Sequence, residues 1–333
     1  MGIWQEADRD GGGGRSERKM QLIIHVGLPK CGSTTLQQCF GGMRESLSAQ
    51  GIFYPPSFRH NHEAANTKIN NEWIDGRIGV DAVVQAARAV GATQCLLSSE
   101  FIAIGIGRYS PKVLRQAAGW LEGEGVQLTL IQVSRALDPF LASLYRQTIS
   151  NAKGISQLYA EIDWTPHSNA YAHGLEGLVQ HLRPAEVRRY RLEEAGWLEA
   201  VFGDLGLAPP VEVPRANRSA PDVTIEMLRQ FSAMGETAPH RVYITRLFSL
   251  AVGPANSILF RQASRRPPEE AVPMTRESIE SLRYIPNPPL RYDEDAFNAF
   301  RQELLSVYDL HAEAFGVEQR PFLRAFRRLY RAG

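Results

Sequence analysis

Between Gln21 and Gln38 the chain passes from a β-branched, apolar run through a Pro- and Gly-punctuated turn into a helix start, a succession that few folds accommodate. Gln21–Val26 reads as a buried strand. Pro29 and Gly32 shape the turn, and Ser33-Thr34-Thr35-Leu36-Gln37-Gln38 opens a helix whose first amides have no intrahelical acceptor. Those N–H groups, the positive helix end, the hydroxyls and the Lys30 ammonium converge on one spot suited to an anion. Gly27 and Gly32 carry the G-x-x-x-x-G spacing of an NTP-binding loop, but Ser33 rather than Lys follows the second Gly, and the only lysine lies inside the loop. The cradle for a phosphate is kept while the usual arrangement for a metal-bound triphosphate is lost.

Further strands are expected at Gly51–Tyr54, Thr93–Leu97, Val126–Val133 and Glu186–Arg191, with helical patterns near 33–49, 79–90, 110–122, 139–150 and 174–182. Strands alternating with helices predict an α/β fold, a central parallel sheet with helices on both faces that collects ligands at the strands' carboxyl ends. After residue 192 the pattern turns mostly helical (193–204, 222–234, 240–262 and 294–315), broken by Pro-rich stretches around 208–214, 265–273 and 286–289. The organisation read from this is a disordered leader over 1–19, with its run of four glycines, then one domain over 20–333. Within that domain, 20–205 form the α/β core and 206–333 a mostly helical region.

The 333 residues, 44% hydrophobic, suffice for a sizeable core, and a net charge of +1 argues against a broad nucleic-acid footprint. Cys31, Cys39 and Cys95 have no metal-ligand spacing and are odd in number, so a disulfide framework and a zinc site are not expected and a reducing, cytoplasmic compartment is. No run of about 18 apolar residues is present, and the polar start Gln5–Asp10 lacks a signal peptide's apolar centre.

Pro29-Lys30-Cys31-Gly32-Ser33-Thr34-Thr35-Leu36 resembles the 5′-phosphosulfate loop of the sulfotransferases that use 3′-phosphoadenosine 5′-phosphosulfate (PAPS). Their second signature is a strand ending in Arg followed eight residues later by a Ser that joins it on the nucleotide 3′-phosphate. Here Arg135 follows the run Val126–Val133, and Ser143 stands eight positions on. Asp138 is suited to cap the intervening helix start and Pro139 to its first turn. The likeness covers roughly residues 20–205, and thereafter only Arg215–Ser219 before a helix.

The resemblance implies a P-loop NTPase-like sulfotransferase fold that moves a sulfuryl group from PAPS to an acceptor hydroxyl or amine, with adenosine 3′,5′-bisphosphate as product and no metal. Lys30, Cys31, Gly32, Ser33, Thr34 and Thr35 would then hold the 5′-phosphate, Lys30 stabilising the leaving phosphate, while Arg135 and Ser143 hold the 3′-phosphate. Glu100, just past the apolar run Cys95–Leu97, is the first candidate for the base that takes the acceptor proton. A Glu at this place matches several carbohydrate sulfotransferases, so a carbohydrate or glycolipid hydroxyl is the acceptor expected by analogy.

His62, with His60 in the same loop, is the second candidate; isolated loop histidines are more commonly solvated, and nothing completes a metal site around them. Cys31, beside Lys30 and a helix N-terminus, is expected to have an accessible thiolate, although direct transfer needs no covalent intermediate. The helix pattern over Arg320–Arg331 sets Phe322, Phe326, Leu329 and Tyr330 opposite most of its arginines, a pattern that packs a terminal helix or lays it on anionic lipid. Two other classes stay open: a P-loop nucleotide kinase or other phosphoryl transferase, and a non-catalytic nucleotide-binding protein.

Overall fold

The structure is a computed structural model that describes residues 19–55, 71–99, 101–150, 156–213, 220–235, 239–252 and 269–315. Strands β1 (Gln21–His25), β2 (Ile52–Phe53), β3 (Gln94–Ser98), β4 (Gln127–Ser134) and β5 (Glu186–Arg191) form one parallel sheet in the order β2-β3-β1-β4-β5. The chain is therefore α/β, as its strand and helix alternation predicts. Gln21 faces Gln94 on one side and Gln127 on the other, and His25 faces Ser98 and Ile131. Leu22, Ile23 and Ile24 are all buried, as are Cys95–Ser98 and Leu128–Val133. Successive strand residues point to opposite faces, so burial of neighbours means that both faces of these strands are covered, each Leu or Ile contributing roughly 1.5–3 kcal/mol. The two edges are unlike this centre: β2 has two residues, and β5 exposes Glu186, Arg189 and Arg191.

Both neighbours of β1 come later in the chain, and the connection after β3 crosses β1 to reach β4. The carboxyl end of β1 is thus the point at which the strand order reverses, the place where open parallel sheets take ligands.

Helices α1 (Ser33–Gly42) and α2 (Arg44–Ala49) replace the single helix expected over 33–49. The break falls at Met43, directly after Gly41-Gly42, two poor helix formers. Helices α3 (Val80–Ala89), α4 (Phe101–Ile104) and α5 (Pro111–Gly123) follow, and α6 spans Leu137–Ser150. Asp138 consequently sits inside the first turn of α6 and is not its cap; there its carboxylate still opposes the positive helix end. Helix α7 starts at Thr165, earlier than the expected 174, because the Asp163 carboxylate accepts the Thr165 N–H (2.9 Å) and Pro166 suits a first turn. Helix α8 (Trp197–Asp204) starts later than expected, after a left-handed Gly196 (φ 78°).

Helices α9 (Asp222–Ala233), α10 (Arg241–Ala251), α11 (Arg276–Glu280) and α12 (Glu294–Phe315) make up the helix-rich second half. The expected extension of α10 to 262, the Arg215–Ser219 segment, the 320–331 helix and the leader up to residue 18 lie outside the described residues.

Two compact units are distinguished, one of residues 1–27, 39–132 and 174–190, the other of 28–38, 133–173 and 191–333. The first holds most of the sheet, with α3 packed on β3 and on α5. In the second, α6, α9, α10, α11 and α12 surround a core that includes Tyr145, Met227, Phe231, Leu247, Phe248 and Phe297. No described helix is long and apolar enough to cross a membrane.

Candidate functional site

The segment that leaves β1 is a rigid turn. Val26, Leu28 and Pro29 are buried, and Lys30 and Gly32 both take left-handed backbone, at φ 64° and 84°. Left-handed geometry is ordinary for glycine and costly for lysine, and such strained residues persist where the surroundings over-determine them. At Gly32 a side chain has no room: a Cβ would lie 2.9 Å from the Trp197 ring and 3.2 Å from Leu192. The Cys31 N–H donates to the Leu28 carbonyl (3.3 Å), and the first α1 bond runs from the Leu36 N–H to the Gly32 carbonyl (3.1 Å). Among the described residues the amides of Gly32, Ser33, Thr34 and Thr35 donate no hydrogen bond. Four amides without a bonded acceptor, on a turn with two left-handed residues, have the backbone pattern that suits an anion, and Lys30 lies on the same turn.

The three hydroxyls of the turn differ. Ser33 is buried and donates to the Leu28 carbonyl (3.2 Å), so it braces the turn from inside. Thr34 and Thr35 are half-buried, with hydroxyls that make no hydrogen bond among the described residues. Cys31 is fully buried, which corrects the expectation of an accessible thiolate at this position. Burial also raises the Cys39 thiol and pushes Cys95 up to about 12, so both are protonated, inert core residues.

Arg135 stands one residue past β4, half-buried. Its backbone is clamped by Tyr171 of α7, whose hydroxyl accepts the Arg135 N–H (3.3 Å) and donates to the Arg135 carbonyl. The Tyr171 ring packs at 4.9 Å on Phe140 of α6, and burial raises its phenol. The guanidinium does not pair with Asp138. Its Nε lies 3.7 Å from Glu193, too far for a hydrogen bond, and the same carboxylate oxygen accepts the Ala136 N–H at 3.1 Å. Ser143 lies on the second turn of α6, half-buried, its hydroxyl unbonded among the described residues.

Three strand exits therefore meet. The segment after β5 packs Leu192 and Trp197 against Gly32, donates the Leu192 N–H to the Ser134 carbonyl (2.8 Å), and lays Glu193 beside Arg135. This ties the turn of Lys30–Thr35 to the β4 exit of Arg135, two motifs a hundred residues apart in the chain. Leu192, Glu193, Trp197 and Tyr171 carry no motif. A carboxylate directly after a strand, the signal that points to Glu100, also marks Glu193. Glu100, His60 and His62 lie outside the described residues, and the described residues contain no group of His, Cys, Asp and Glu arranged for a metal.

His25, the last residue of β1, is a buried histidine that the motifs do not mark. Its Nδ1 is 2.8 Å from the Ser98 hydroxyl, its carbonyl accepts the Ser99 N–H (2.9 Å), and its Nε2 is buried without a hydrogen-bond partner among the described residues. Burial pushes its pKa down to about 4, so the ring is neutral at physiological pH. The unfolded imidazole gains a proton below pH 6.5 that the folded one refuses until about pH 4, so stability falls as pH drops through that window. Urea unfolding between pH 7 and 5 should show a slope reduced by about 1 kcal/mol per pH unit in His25→Gln relative to the parent. Equal slopes would mean that His25 is not kept neutral by the fold.

Comparison of the chain with family models, curated proteins and solved structures finds no match.

Proposed function

We propose that this protein is a PAPS-dependent sulfotransferase on a P-loop-like α/β core, working in a reducing compartment on a hydroxyl of a carbohydrate or glycolipid. The observation that carries the reading is the meeting of the β1 and β4 exits: four unbonded amides and Lys30 on one, Arg135 with Ser143 on the other. A nucleotide with phosphates at both its 5′ and 3′ ends needs two such anion pockets. The strand order, with the Lys30–Thr35 turn at the reversal point beside β1, supports the P-loop-like assignment.

In the transfer the acceptor oxygen attacks sulfur in line, the sulfur–oxygen bond to the 5′-phosphate breaks, and its electron pair stays on the phosphate oxygen. In this reading Lys30 and the Gly32–Thr35 amides hold that growing negative charge, and Thr34 and Thr35 fix the phosphate's orientation. The acceptor proton goes to a base, for which Glu100 is the proposed residue and His62 the second.

Thermal unfolding with added nucleotide tests the reading. Adenosine 3′,5′-bisphosphate at 100 times its Kd, without Mg²⁺, should stabilise the protein by about 2.7 kcal/mol. Stabilisation only by ATP with Mg²⁺ would replace sulfuryl by phosphoryl transfer, and binding without turnover of PAPS on any acceptor would leave a nucleotide-binding protein.

A further inference from the structure

Glu193 poses a physical puzzle. A carboxylate beside the arginine of an anion pocket opposes the binding of a dianion, and an exposed pair at 3.7 Å contributes little to stability, with Glu193 46% exposed. Yet one of its oxygens accepts the Ala136 amide at the β4 exit and lies 3.7 Å from the Arg135 Nε. Together with the two Tyr171 hydrogen bonds it holds the backbone of Arg135–Ala136 from both sides, just where β4 has ended and no sheet neighbour fixes it.

A guanidinium donates along two edges, one through Nε and one through its paired terminal nitrogens. Nε lies beside Glu193 without a hydrogen bond, and the terminal nitrogens make none among the described residues. The outer edge, that of the terminal nitrogens, carries two parallel donors that can meet two oxygens of a phosphate.

We infer that Glu193 is a positioning residue of the second anion pocket, orienting Arg135 so that its outer edge meets the 3′-phosphate of the nucleotide. This rests on the proposed function. The role needs an acceptor oxygen at this place and not a negative charge. It therefore separates an oriented arginine from a merely neutralised one. Glutamine at 193 supplies the oxygen and alanine does not.

The affinities of the whole chain for adenosine 3′,5′-bisphosphate and for AMP, measured by calorimetry, decide it. Arg135→Ala should bring the two affinities together, since only the bisphosphate uses the second pocket. Glu193→Ala should weaken the bisphosphate about tenfold and leave AMP unchanged, while Glu193→Gln should stay within about threefold of the parent. Two results would overturn the positioning role while leaving the proposed function standing: tighter bisphosphate binding by Glu193→Ala, marking a competing counter-ion, or a loss in Glu193→Gln equal to that in Glu193→Ala. Equal losses for both nucleotides in Glu193→Ala would likewise reduce Glu193 to a support of the fold. A parent that does not distinguish the bisphosphate from AMP, or an Arg135→Ala variant that binds like it, would overturn the proposed function, and this inference with it.

Discussion

Lys30→Ala is expected to lower kcat for sulfuryl transfer from PAPS by about 10²–10³-fold while weakening adenosine 3′,5′-bisphosphate binding by roughly tenfold or less. The asymmetry follows from where the charge is. Under the proposed function the product phosphate would be held in part by the Gly32–Thr35 amides, which the substitution leaves alone, whereas charge growing on the leaving oxygen as the sulfur–oxygen bond breaks would call on a compact ammonium. Lys30 also holds left-handed backbone (φ 64°), which costs an L-residue roughly 1–2 kcal/mol and glycine almost nothing. Lys30→Gly should therefore be as inactive as Lys30→Ala yet unfold at a higher temperature. Steady-state rates, calorimetric affinities and melting temperatures of the three proteins check this together. An unchanged kcat, or a loss confined to binding, would reduce Lys30 to a counter-ion of the nucleotide.

The second large effect concerns stability. Glu226, on α9, is fully buried and accepts from Arg229 Nε (3.0 and 3.1 Å), from Gln230 Nε2 (2.9 Å) and from Asn287 Nδ2 (2.7 Å). Asn287 passes the network on to the Tyr145 hydroxyl (2.8 Å), which donates to the Gln157 carbonyl (3.1 Å). Removing the carboxylate leaves the Arg229 guanidinium, its side chain 6% exposed, with the Ser156 carbonyl as its remaining bonded partner among the described residues. Glu226→Ala should cost about 3–5 kcal/mol, the usual penalty for a buried charge without its counter-ion. Replacing both members by methionine should recover much of that loss, because neither charge is then desolvated. Denaturant midpoints at unchanged slope measure it; a loss under about 1 kcal/mol for Glu226→Ala would show that water replaces the carboxylate and that the site is not dry.

This network bears on the site because Tyr145 lies two residues beyond Ser143 on α6. The next residue, Arg146, forks onto Asp222 (2.6 and 3.0 Å) and donates to the Pro289 carbonyl (3.0 Å). The buried Tyr145 and the half-buried Arg146 thus fasten α6 to the helical core by side chains that close loops of about 80 to 140 residues. Such contacts bring entropic cost to folding and rigidity to the helix once made.

Much of the architecture was legible from local pattern. Strands buried on both faces have to be near-continuous apolar runs, and Gln21–Val26, Thr93–Leu97 and Val126–Val133 are such runs; α12 covers the residues its periodicity predicts, Glu294–Phe315. The errors were at ends, where one capping contact or one left-handed glycine outweighs propensity. Thr165 and Gly196 set the true starts of α7 and α8, and Gly41-Gly42 divides α1 from α2. Cys31 is buried although it stands beside a helix start, because that position says nothing of what covers a thiol.

Sequence alone determined the parts whose physics is short-range: the turn that must leave amides unpaired, the glycine that left-handed backbone demands, the arginine one step past a strand and the serine on the helix that follows it. Tertiary structure decided what those parts meet. Trp197 closing over Gly32, Tyr171 holding Arg135 from 36 residues away, Glu193 reaching Ala136 from 57, and an imidazole at position 25 sealed from water are encounters through space. A hydrogen bond or a desolvated charge acts over a few ångströms whatever the separation along the chain, so only the folded arrangement of the β1, β4 and β5 exits could select which polar groups would share one place.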